Sequence, residues 1–314
     1  MTGRGRLAPS PTGELHLGGA ATFLVAWLEA RRRGGSLVLR MEDLDTPRVV
    51  PGAEARILDD LAWLGLDCDE GPRAPGPHAP YRQSERSARY AAAADALAAD
   101  GHTYLCDCSR AEIARVASAP HPGEEVRYPG TCRPHGMTAR AFRRPPALRF
   151  ALTPDASVRF VDGVHGEIHE RVADVAGDFV LRRGDGTFAY QLAVVVDDLA
   201  MEVDHVVRGA DLLSSTARQL TLARALGGAA PSYLHAPMVL GEDGERLAKR
   251  ARGVSVRDHR DVTAPAALLG ALAHAIGAAP DPSPRSPREL LARYDPRLLA
   301  RTPVRAPKLA RFSG

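Results

Sequence analysis

The sequence lacks the features of a membrane or secreted protein. No apolar run approaches the roughly 20 residues that a membrane-spanning helix needs. The initial Met is followed by Thr-Gly-Arg-Gly-Arg-Leu, which is not the apolar core of a signal peptide. The net charge is only +3 over 314 residues, and this small excess neither indicates nor excludes a nucleic-acid partner. We therefore expect a cytoplasmic protein with no membrane partner.

Cysteine is also scarce, with four residues that are unevenly placed. Cys68 stands alone, whereas Cys106, Cys108 and Cys132 fall within one short stretch. In a reducing cytosol such clustering favours metal binding over disulfides. Three thiolates can supply three corners of the tetrahedron that structural zinc prefers. A fourth ligand must come from nearby, and a cluster of free thiols without metal is the alternative.

Glycine and proline are plentiful, at 29 and 25 residues, which suggests tight connections between elements. Residues 4–8 predict a short strand, and residues 17–33 carry apolar side chains at helical spacing until Gly34-Gly35 ends the pattern. Residues 36–41 predict a second, buried strand. Strand, glycine turn, helix and strand form a βαβ unit, so we predict an α/β protein whose N-terminal sheet is parallel.

Further elements follow along the chain. The pattern predicts helices over about 53–64 and 85–100, and a helical segment from about residue 263. The apolar run over 188–196, followed by Asp197, predicts a buried strand that ends at a site.

The first candidate site lies between the first strand and the first long helix, in Pro9-Ser-Pro-Thr-Gly-Glu-Leu-His-Leu-Gly-Gly19. A helix N-terminus presents free N–H groups to phosphates, and Gly18 and Gly19 would let a ligand approach the backbone. His16 adds a donor that can stabilise charge developing on an α-phosphate. The alternative is a glycine-rich turn with an incidental histidine.

A second candidate is Arg246-Leu-Ala-Lys-Arg250, which follows an apolar segment and the turn Gly241-Glu-Asp-Gly244. A mobile loop carrying Lys249 can close over a triphosphate and neutralise charge as pyrophosphate leaves. In isolation, basic residues after an Asp-Gly turn usually form a solvated surface. The position of this motif relative to the first favours the interpretation as a loop that binds a triphosphate.

These two motifs resemble the signature pair of class I aminoacyl-tRNA synthetases. The surrounding segments are similar to the glutamyl-tRNA synthetase group, and the likeness extends from Gly5 to about Arg250. They are Gly5-Arg-Leu-Ala-Pro-Ser-Pro-Thr-Gly-Glu-Leu-His16, Leu39-Arg-Met-Glu-Asp-Leu-Asp-Thr-Pro-Arg48, Val206-Val-Arg-Gly-Ala-Asp-Leu-Leu213 and Tyr233-Leu-His-Ala-Pro237.

Within that group the chain resembles the glutamyl-Q tRNA(Asp) synthetases. These shortened paralogues keep the catalytic domain, lack the anticodon-binding domain and attach glutamate to the queuosine base of tRNA(Asp). Only 64 of the 314 residues follow Arg250, so we expect no helical anticodon-binding domain. Cys106-x-Cys108 followed by Tyr128-x-x-x-Cys132 is the paralogues' pattern, whereas zinc-containing full-length relatives tend to end their cluster Cys-x-His.

The resemblance implies a Rossmann-like catalytic domain in two halves, at 1–103 and 161–262. Between them lies an insert at 104–160 that carries the zinc and contacts the acceptor RNA; its sequence shows proline-rich turns and poor periodicity. A short helical extension at 263–314 ends in a basic tail, which is usually a solvated surface and less often an RNA contact. The tail's basic residues are Arg301, Arg305, Lys308 and Arg311.

The resemblance also implies the residues of the site. The planar guanidinium groups of two arginines would hold the two carboxylates of the substrate, and a glutamate side chain of the protein would bind its ammonium group. L-Glutamate is expected at Arg6, Leu7, Ala8, Pro9, Ser10, Glu42, Tyr190 and Arg208; ATP at His16, Gly18, Gly19 and Lys249; catalysis at His16 and Lys249; zinc at Cys106, Cys108, Tyr128 and Cys132. The physical alternatives to Tyr128 are His135 and His121. Arg208 could instead form a salt bridge with Asp211 or Asp204, and Asp43 or Asp45 could exchange roles with Glu42.

One departure from the family pattern concerns the second motif. It usually reads Lys-x-Ser-Lys, and here Arg246 and Ala248 replace the first lysine and the serine, while Lys249 is retained. Losing the serine hydroxyl would slow loop closure without removing activity.

The expected activity has two steps. ATP, with Mg²⁺, activates L-glutamate to glutamyl-adenylate without tRNA, and the glutamate then passes to queuosine in the anticodon stem-loop of tRNA(Asp). We expect a monomer. The alternatives are a truncated glutamyl-tRNA synthetase that charges the 3′ end of tRNA, and a non-catalytic RNA-binding paralogue.

Overall fold

The computed structural model describes residues 3–116, 127–138, 140–175, 177–241, 243–245, 247 and 255–307. The strands are β1 (Arg4–Leu7), β2 (Ser36–Leu39), β3 (Thr103–Cys106), β4 (Ala147–Phe150), β5 (Ser157–Asp162), β6 (Gly166–Arg171), β7 (Phe179–Arg182), β8 (His205–Gly209), β9 (Ser232–Ala236), β10 (Val239–Leu240) and β11 (Val304–Arg305). The helices are α1 (Leu17–Arg32), α2 (Ala53–Leu64), α3 (Ser87–Ala99), α4 (Arg110–Val116), α5 (Val172–Val175), α6 (Tyr190–Ala200), α7 (Thr216–Ala225), α8 (Val256–Arg260), α9 (Pro265–Ala275) and α10 (Pro287–Leu291).

The N-terminal βαβ unit is confirmed. Strands β1 and β2 pair in parallel, with Arg4 opposite Ser36, and α1 connects them. After α1 the chain turns at Gly34, whose φ of 63° is a left-handed conformation that favours glycine. A Cβ atom at Gly35 would lie 2.0 Å from the carbonyl oxygen of Gly3. Only glycine therefore permits this close return onto β1.

Strands β1, β8 and β9 lie next to one another at the centre of the fold. Strand β8 pairs in parallel with β9, and it runs beside β1, where the N–H of Asp204 donates to the carbonyl of Arg4 at 3.1 Å. Strand β5 pairs in parallel with β9 and antiparallel with β6. Several parallel strands therefore end at the same edge, where α/β proteins usually bind ligands.

A separate antiparallel sheet lies in the region predicted as an insert. Its strands have the order β3-β4-β7, so it also includes residues beyond 160. The predicted boundary at 160 falls inside β5, which pairs with β9. The division of the chain into domains remains a prediction.

The predicted strand at 188–196 is wrong, because residues 190–196 belong to helix α6. The helix is buried along most of its length, and residues 192–198 are all buried. Periodicity cannot distinguish a helix that is apolar all round from a buried strand. Tertiary packing on both sides, rather than an amphipathic pattern, defines this helix.

The C-terminal residues return to the core. Helix α9 packs against α1 and α2, and β11 pairs in parallel with β10. Arg301 and Arg305 are exposed, and the other two basic residues of the predicted tail, Lys308 and Arg311, lie outside the described residues. No helix in the described ranges has the length and apolar character to cross a membrane.

Candidate active site

Most residues of the predicted site line one cavity of about 310 Å³ at the carboxyl ends of the parallel strands. The walls come from the ends of β1 and β8 and the first turns of α1 and α6. The predicted residues in its lining are Arg6, Ala8, His16, Gly18, Gly19, Glu42, Tyr190 and Arg208.

The other predicted glutamate-site residues take different places. Leu7 and Pro9 are buried, and the carbonyl of Pro9 accepts the backbone N–H of Glu42 at 2.9 Å. They therefore hold the two strand ends together. Ser10 lines a larger neighbouring cleft.

The first motif forms the entry to α1. His16 is the residue immediately before the helix, with extended backbone angles. The N–H groups of the first helical turn have no partner within the helix, and Gly18 and Gly19 of this turn line the cavity. A Cβ atom at Gly19 would lie 3.0 Å from the side chain of Leu15. A larger residue there would press on the motif itself.

One residue of the second motif is described, and it lies beside the first motif. Arg246, Ala248 and Lys249 fall outside the described residues, but Leu247 lines the same cavity. Beyond the motif, the N–H of Val256 donates to the carbonyl of Leu15 at 2.8 Å. Leu247 and Val256, the described residues on either side of Lys249, therefore lie next to the phosphate-binding candidate.

Arg208 is a buried cation with neutral partners. Its Nε donates to Nε2 of His235 at 3.0 Å, and its terminal nitrogens donate to Oε1 of Gln219 at 2.6 Å and Oγ1 of Thr216 at 2.8 Å. Among the described residues, no carboxylate lies within ion-pair distance of this guanidinium, which is only 4% exposed. The expected alternative, a salt bridge with Asp204 or Asp211, is not observed. A buried charge without a counterion is costly, so the site is suited to an anionic ligand.

Arg6 contributes a second cation to the cavity. It lies 3.8 Å from Asp198 and donates to the carbonyl of Val207. Its Nε is buried and has no hydrogen-bond partner among the described residues. Burial lowers the pKa of Arg6, so an added carboxylate would relieve the cost of its charge.

Glu42 forms an ion pair with a buried arginine that was not among the predicted site residues. Arg40 is completely buried and donates to Glu42 at 3.0 Å and to Asp198 at 2.7 Å. Burial raises the pKa of Glu42, although Arg40 opposes this. The cavity lining itself carries two arginines, Arg6 and Arg208, and two carboxylates, Glu42 and Asp211. Charged groups of both signs therefore face the cavity, as the binding of an amino acid with one ammonium and two carboxylates requires.

The neighbouring aspartates do not take the role of Glu42. Asp43 accepts hydrogen bonds from the backbone and side chain of Ser84, and Asp45 pairs with Arg48 at 3.5 Å. Only Glu42 of these three acids lines the cavity.

The larger cleft, of about 1010 Å³, shares Glu42 and Tyr190 with the first cavity and extends to Cys106 and Cys108. Its wall carries arginines alongside four carboxylates, and Phe188 adds an aromatic face. These arginines are Arg48, Arg110, Arg144, Arg149 and Arg183. The cleft connects the cavity to the cysteine cluster.

The three clustered cysteines come together as predicted. The sulfur atoms of Cys106, Cys108 and Cys132 lie within 4.8 Å of one another. The hydroxyl oxygen of Tyr128 lies 3.3 Å from the sulfur of Cys106 and 3.6 Å from that of Cys108, and accepts the backbone N–H of Cys132 at 2.9 Å. Four potential ligand atoms thus converge, so the cluster can hold a metal ion.

Of the two histidine alternatives, the structure describes only His135, which does not join the cluster. His135 is exposed and is not part of the potential metal-binding group found among the described residues. His121 lies outside the described residues. The aromatic ring of Tyr128 is covered by the guanidinium of Arg149, 3.8 Å from the ring centroid, which fixes the hydroxyl against the sulfurs.

Sequence reasoning missed the residues that support the site. Arg40 lies two positions before Glu42 and directly after β2, and its isolated charge in the predicted strand over 36–41 was the available signal. Asp198 ends the apolar run that was interpreted as a strand. His235 lies in the family segment Tyr233–Pro237, but the local pattern gives it no role. Nothing in the sequence indicates Asp162, because both residues contact Arg208 or its partner only through the fold.

The comparisons with known proteins agree with this geometry. Residues 3–277 match the family described as tRNA synthetases class I (E and Q), catalytic domain. The fold and the site therefore define a class I aminoacyl-tRNA synthetase catalytic domain, and the chain belongs to this family. It is accordingly an enzyme, a ligase of the aminoacyl-tRNA synthetase type.

Similar proteins span nearly the whole chain. The glutamyl-Q tRNA(Asp) synthetase of Symbiobacterium thermophilum is 48% identical over 99% of this chain and 98% of its own length. That of Nitratidesulfovibrio vulgaris is 48% identical over 97% of this chain and 95% of its own. The crystal structure of a glutamate tRNA ligase from Elizabethkingia meningosepticum in complex with its amino acid has a TM-score of 0.82 at 29% identity, covering 98% of this chain and 67% of that one.

Proposed function

We propose that the protein activates L-glutamate with ATP, without RNA, and transfers it to queuosine in the anticodon loop of tRNA(Asp). The observation that carries this proposal is the buried Arg208, whose partners in the described part of the chain are all neutral, in the same cavity as Arg6, Glu42 and the first motif. We infer the acceptor, tRNA(Asp), from the names of the similar proteins.

In the first step the two arginines hold the substrate carboxylates. Glu42, with the Tyr190 hydroxyl, binds the ammonium. A carboxylate oxygen attacks the α-phosphorus of ATP, the bond to the bridging oxygen breaks, and pyrophosphate leaves with Mg²⁺ neutralising the phosphates. His16 and Lys249 stabilise the developing charge.

In the second step a hydroxyl of the queuosine ring attacks the adenylate carbonyl carbon. The hydroxyl loses its proton, and AMP leaves with the bonding electrons. The larger cleft opens onto Glu42 and Tyr190, so a base extruded from a loop can reach the cavity while its phosphates meet the arginines. Single-stranded loops display bases for such recognition better than paired helices do.

We also propose zinc as the metal of the cysteine cluster, with Tyr128 as the fourth ligand. The convergent donor set of three thiols and one hydroxyl fits the ion. Zinc would tie β3 to the loop around Cys132 and so support the far wall of the larger cleft. None of the reaction steps passes through this ion.

Pyrophosphate exchange tests the first step. Exchange should require L-glutamate and proceed without tRNA, and aspartate and glutamine should be poor substrates. The side chain of aspartate is one methylene too short to reach the second arginine, and the neutral amide of glutamine leaves the charge of that arginine uncompensated. Exchange that appears only after tRNA is added would contradict activation without RNA, and no exchange at all would favour a non-catalytic RNA-binding paralogue.

Mapping of the acylation site tests the second step. Labelled glutamate should appear on queuosine-containing tRNA(Asp), and an isolated anticodon stem-loop with queuosine should suffice as substrate. The matched control is tRNA(Asp) from cells that cannot make queuosine. Label on the 3′-terminal adenosine, or equal charging of the control, would replace this proposal with a truncated glutamyl-tRNA synthetase.

A further inference from the structure

A row of three buried polar side chains crosses the central strands. Asp162 ends β5, His235 lies on β9 and Arg208 on β8, and Arg208 and His235 are directly opposite in the β8–β9 register. These side chains are 2%, 0% and 4% exposed, respectively. Asp162 and His235 are absent from the cavity lining, so only Arg208 of the three can touch a ligand there.

Hydrogen bonds determine the protonation of His235. Its Nδ1 lies 2.6 Å from Oδ2 of Asp162, and a carboxylate can only accept, so Nδ1 carries the hydrogen. Nε2 then keeps its lone pair and accepts the Nε–H of Arg208 at 3.0 Å. Burial lowers the pKa of His235, although Asp162 opposes this. A protonated ring would direct an N–H at the arginine.

Asp162 is itself fixed by the backbone. Its Oδ1 accepts the N–H groups of Val164 at 3.0 Å and His165 at 2.9 Å, and its Oδ2 accepts the N–H of His235 at 3.1 Å. These bonds leave the carboxylate no freedom to turn away from the ring. The orientation of His235 is therefore determined before any ligand binds.

Arg208 keeps its positive charge and part of its hydrogen-bonding capacity for a ligand. A guanidinium has five N–H groups, and three of them donate to His235, Gln219 and Thr216. Because these partners are neutral acceptors, they orient the cation without neutralising it. Two N–H groups, one on each terminal nitrogen, remain for a carboxylate.

We propose that His235 and Asp162 are positioning residues that hold Arg208 as an oriented, uncompensated cation for a glutamate carboxylate. This inference rests on the proposed function, since it assumes that glutamate is the ligand. It assigns to the pair a role in substrate affinity rather than in the chemical step.

Two substitutions of one residue separate positioning from folding. In His235→Asn the amide can keep the bond to Asp162 but cannot reach Arg208, whereas in His235→Gln the side-chain oxygen can take the place of Nε2. We expect the glutamate KM in pyrophosphate exchange to rise about tenfold or more in the asparagine variant, as for a lost hydrogen bond to a charged group. The KM for ATP should stay constant and kcat should change less than about threefold. The glutamine variant should recover most of the affinity.

The matched control is the substitution His205→Asn. His205 is a buried histidine at the start of the same strand as Arg208, and its replacement should leave the glutamate KM unchanged.

A second variant tests the neutrality of the partners. Gln219→Glu places a carboxylate 2.6 Å from Arg208 in nearly the same volume, so we expect it to raise the glutamate KM at least tenfold. This test remains decisive if the His235 variants fail to fold.

The outcomes distinguish this inference from the proposed function. Absence of glutamate-dependent exchange in the wild type overturns both. With an active wild type, equal KM values for the two His235 variants, a fall in kcat without a change in KM, or an unchanged KM in Gln219→Glu overturns the positioning role alone.

Discussion

Replacing Arg40 by methionine should destabilise the protein strongly. Arg40 is 0% exposed and is the ion-pair partner of Glu42 among the described residues, at 3.0 Å. It also lies 2.7 Å from Asp198 and 3.6 Å from Asp197. Removing one partner of a buried ion pair costs about 3–5 kcal/mol, because the remaining charge is left buried and uncompensated.

The structure places this cost at the lower end of the range. Asp197 keeps Arg86 at 2.6 Å, and Asp198 keeps Arg6 at 3.8 Å, so Glu42 is the carboxylate that loses its compensation. We therefore expect a loss of about 3 kcal/mol in the free energy of unfolding. With a slope of about 3 kcal/mol/M, the urea midpoint should fall by about 1 M.

Urea unfolding followed by fluorescence measures this shift, and a second arginine provides the control. Arg31 also pairs with two carboxylates, Asp67 at 3.2 Å and Asp69 at 2.8 Å, but these partners are 70% and 43% exposed. Arg31→Met should cost less than about 1 kcal/mol, as exposed pairs do. Equal shifts in the two variants would refute the reasoning that burial makes the Arg40 pairs important. A glutamate KM that is unchanged in folded Arg40→Met would refute its support of Glu42.

Three further results are expected. Lys249→Ala should lower kcat for adenylate formation much more than it raises the glutamate KM, because its interaction grows as pyrophosphate leaves; pyrophosphate exchange measures both. Burial raises the pKa of Glu42, and only the ionised form binds an ammonium, so glutamate affinity should fall as the pH drops toward that raised pKa. Glu42→Gln should weaken binding and remove this pH dependence in titrations of glutamate binding. Metal analysis of untagged protein should find about one zinc per chain, the stoichiometry of one four-ligand set. Cys106→Ser should lose the ion and impair RNA transfer or stability more than adenylate formation, and unchanged zinc affinity in Tyr128→Phe would exclude the phenol as a ligand.

Local patterns were enough to predict the elements that carry the two motifs. Strand β1, the turn into α1 and the Gly34-Gly35 return are encoded by neighbouring residues, since periodicity and glycine act within a few positions. The cysteine spacing likewise predicted a cluster, which the fold brings together. Helix α6 was misread because a uniformly apolar run satisfies a buried helix and a buried strand equally well.

The sequence by itself determined the glycine-containing turn before α1, the parallel βαβ unit and the residue types of the candidate site. Only the tertiary structure decided which charges around that site are compensated. Arg40 and Arg208 are both buried arginines near strand ends, yet one faces carboxylates and the other faces His235, Gln219 and Thr216. Those partners come from different strands and helices, far apart along the chain. Coulomb and hydrogen-bond energies depend on distances in space, which the fold alone sets.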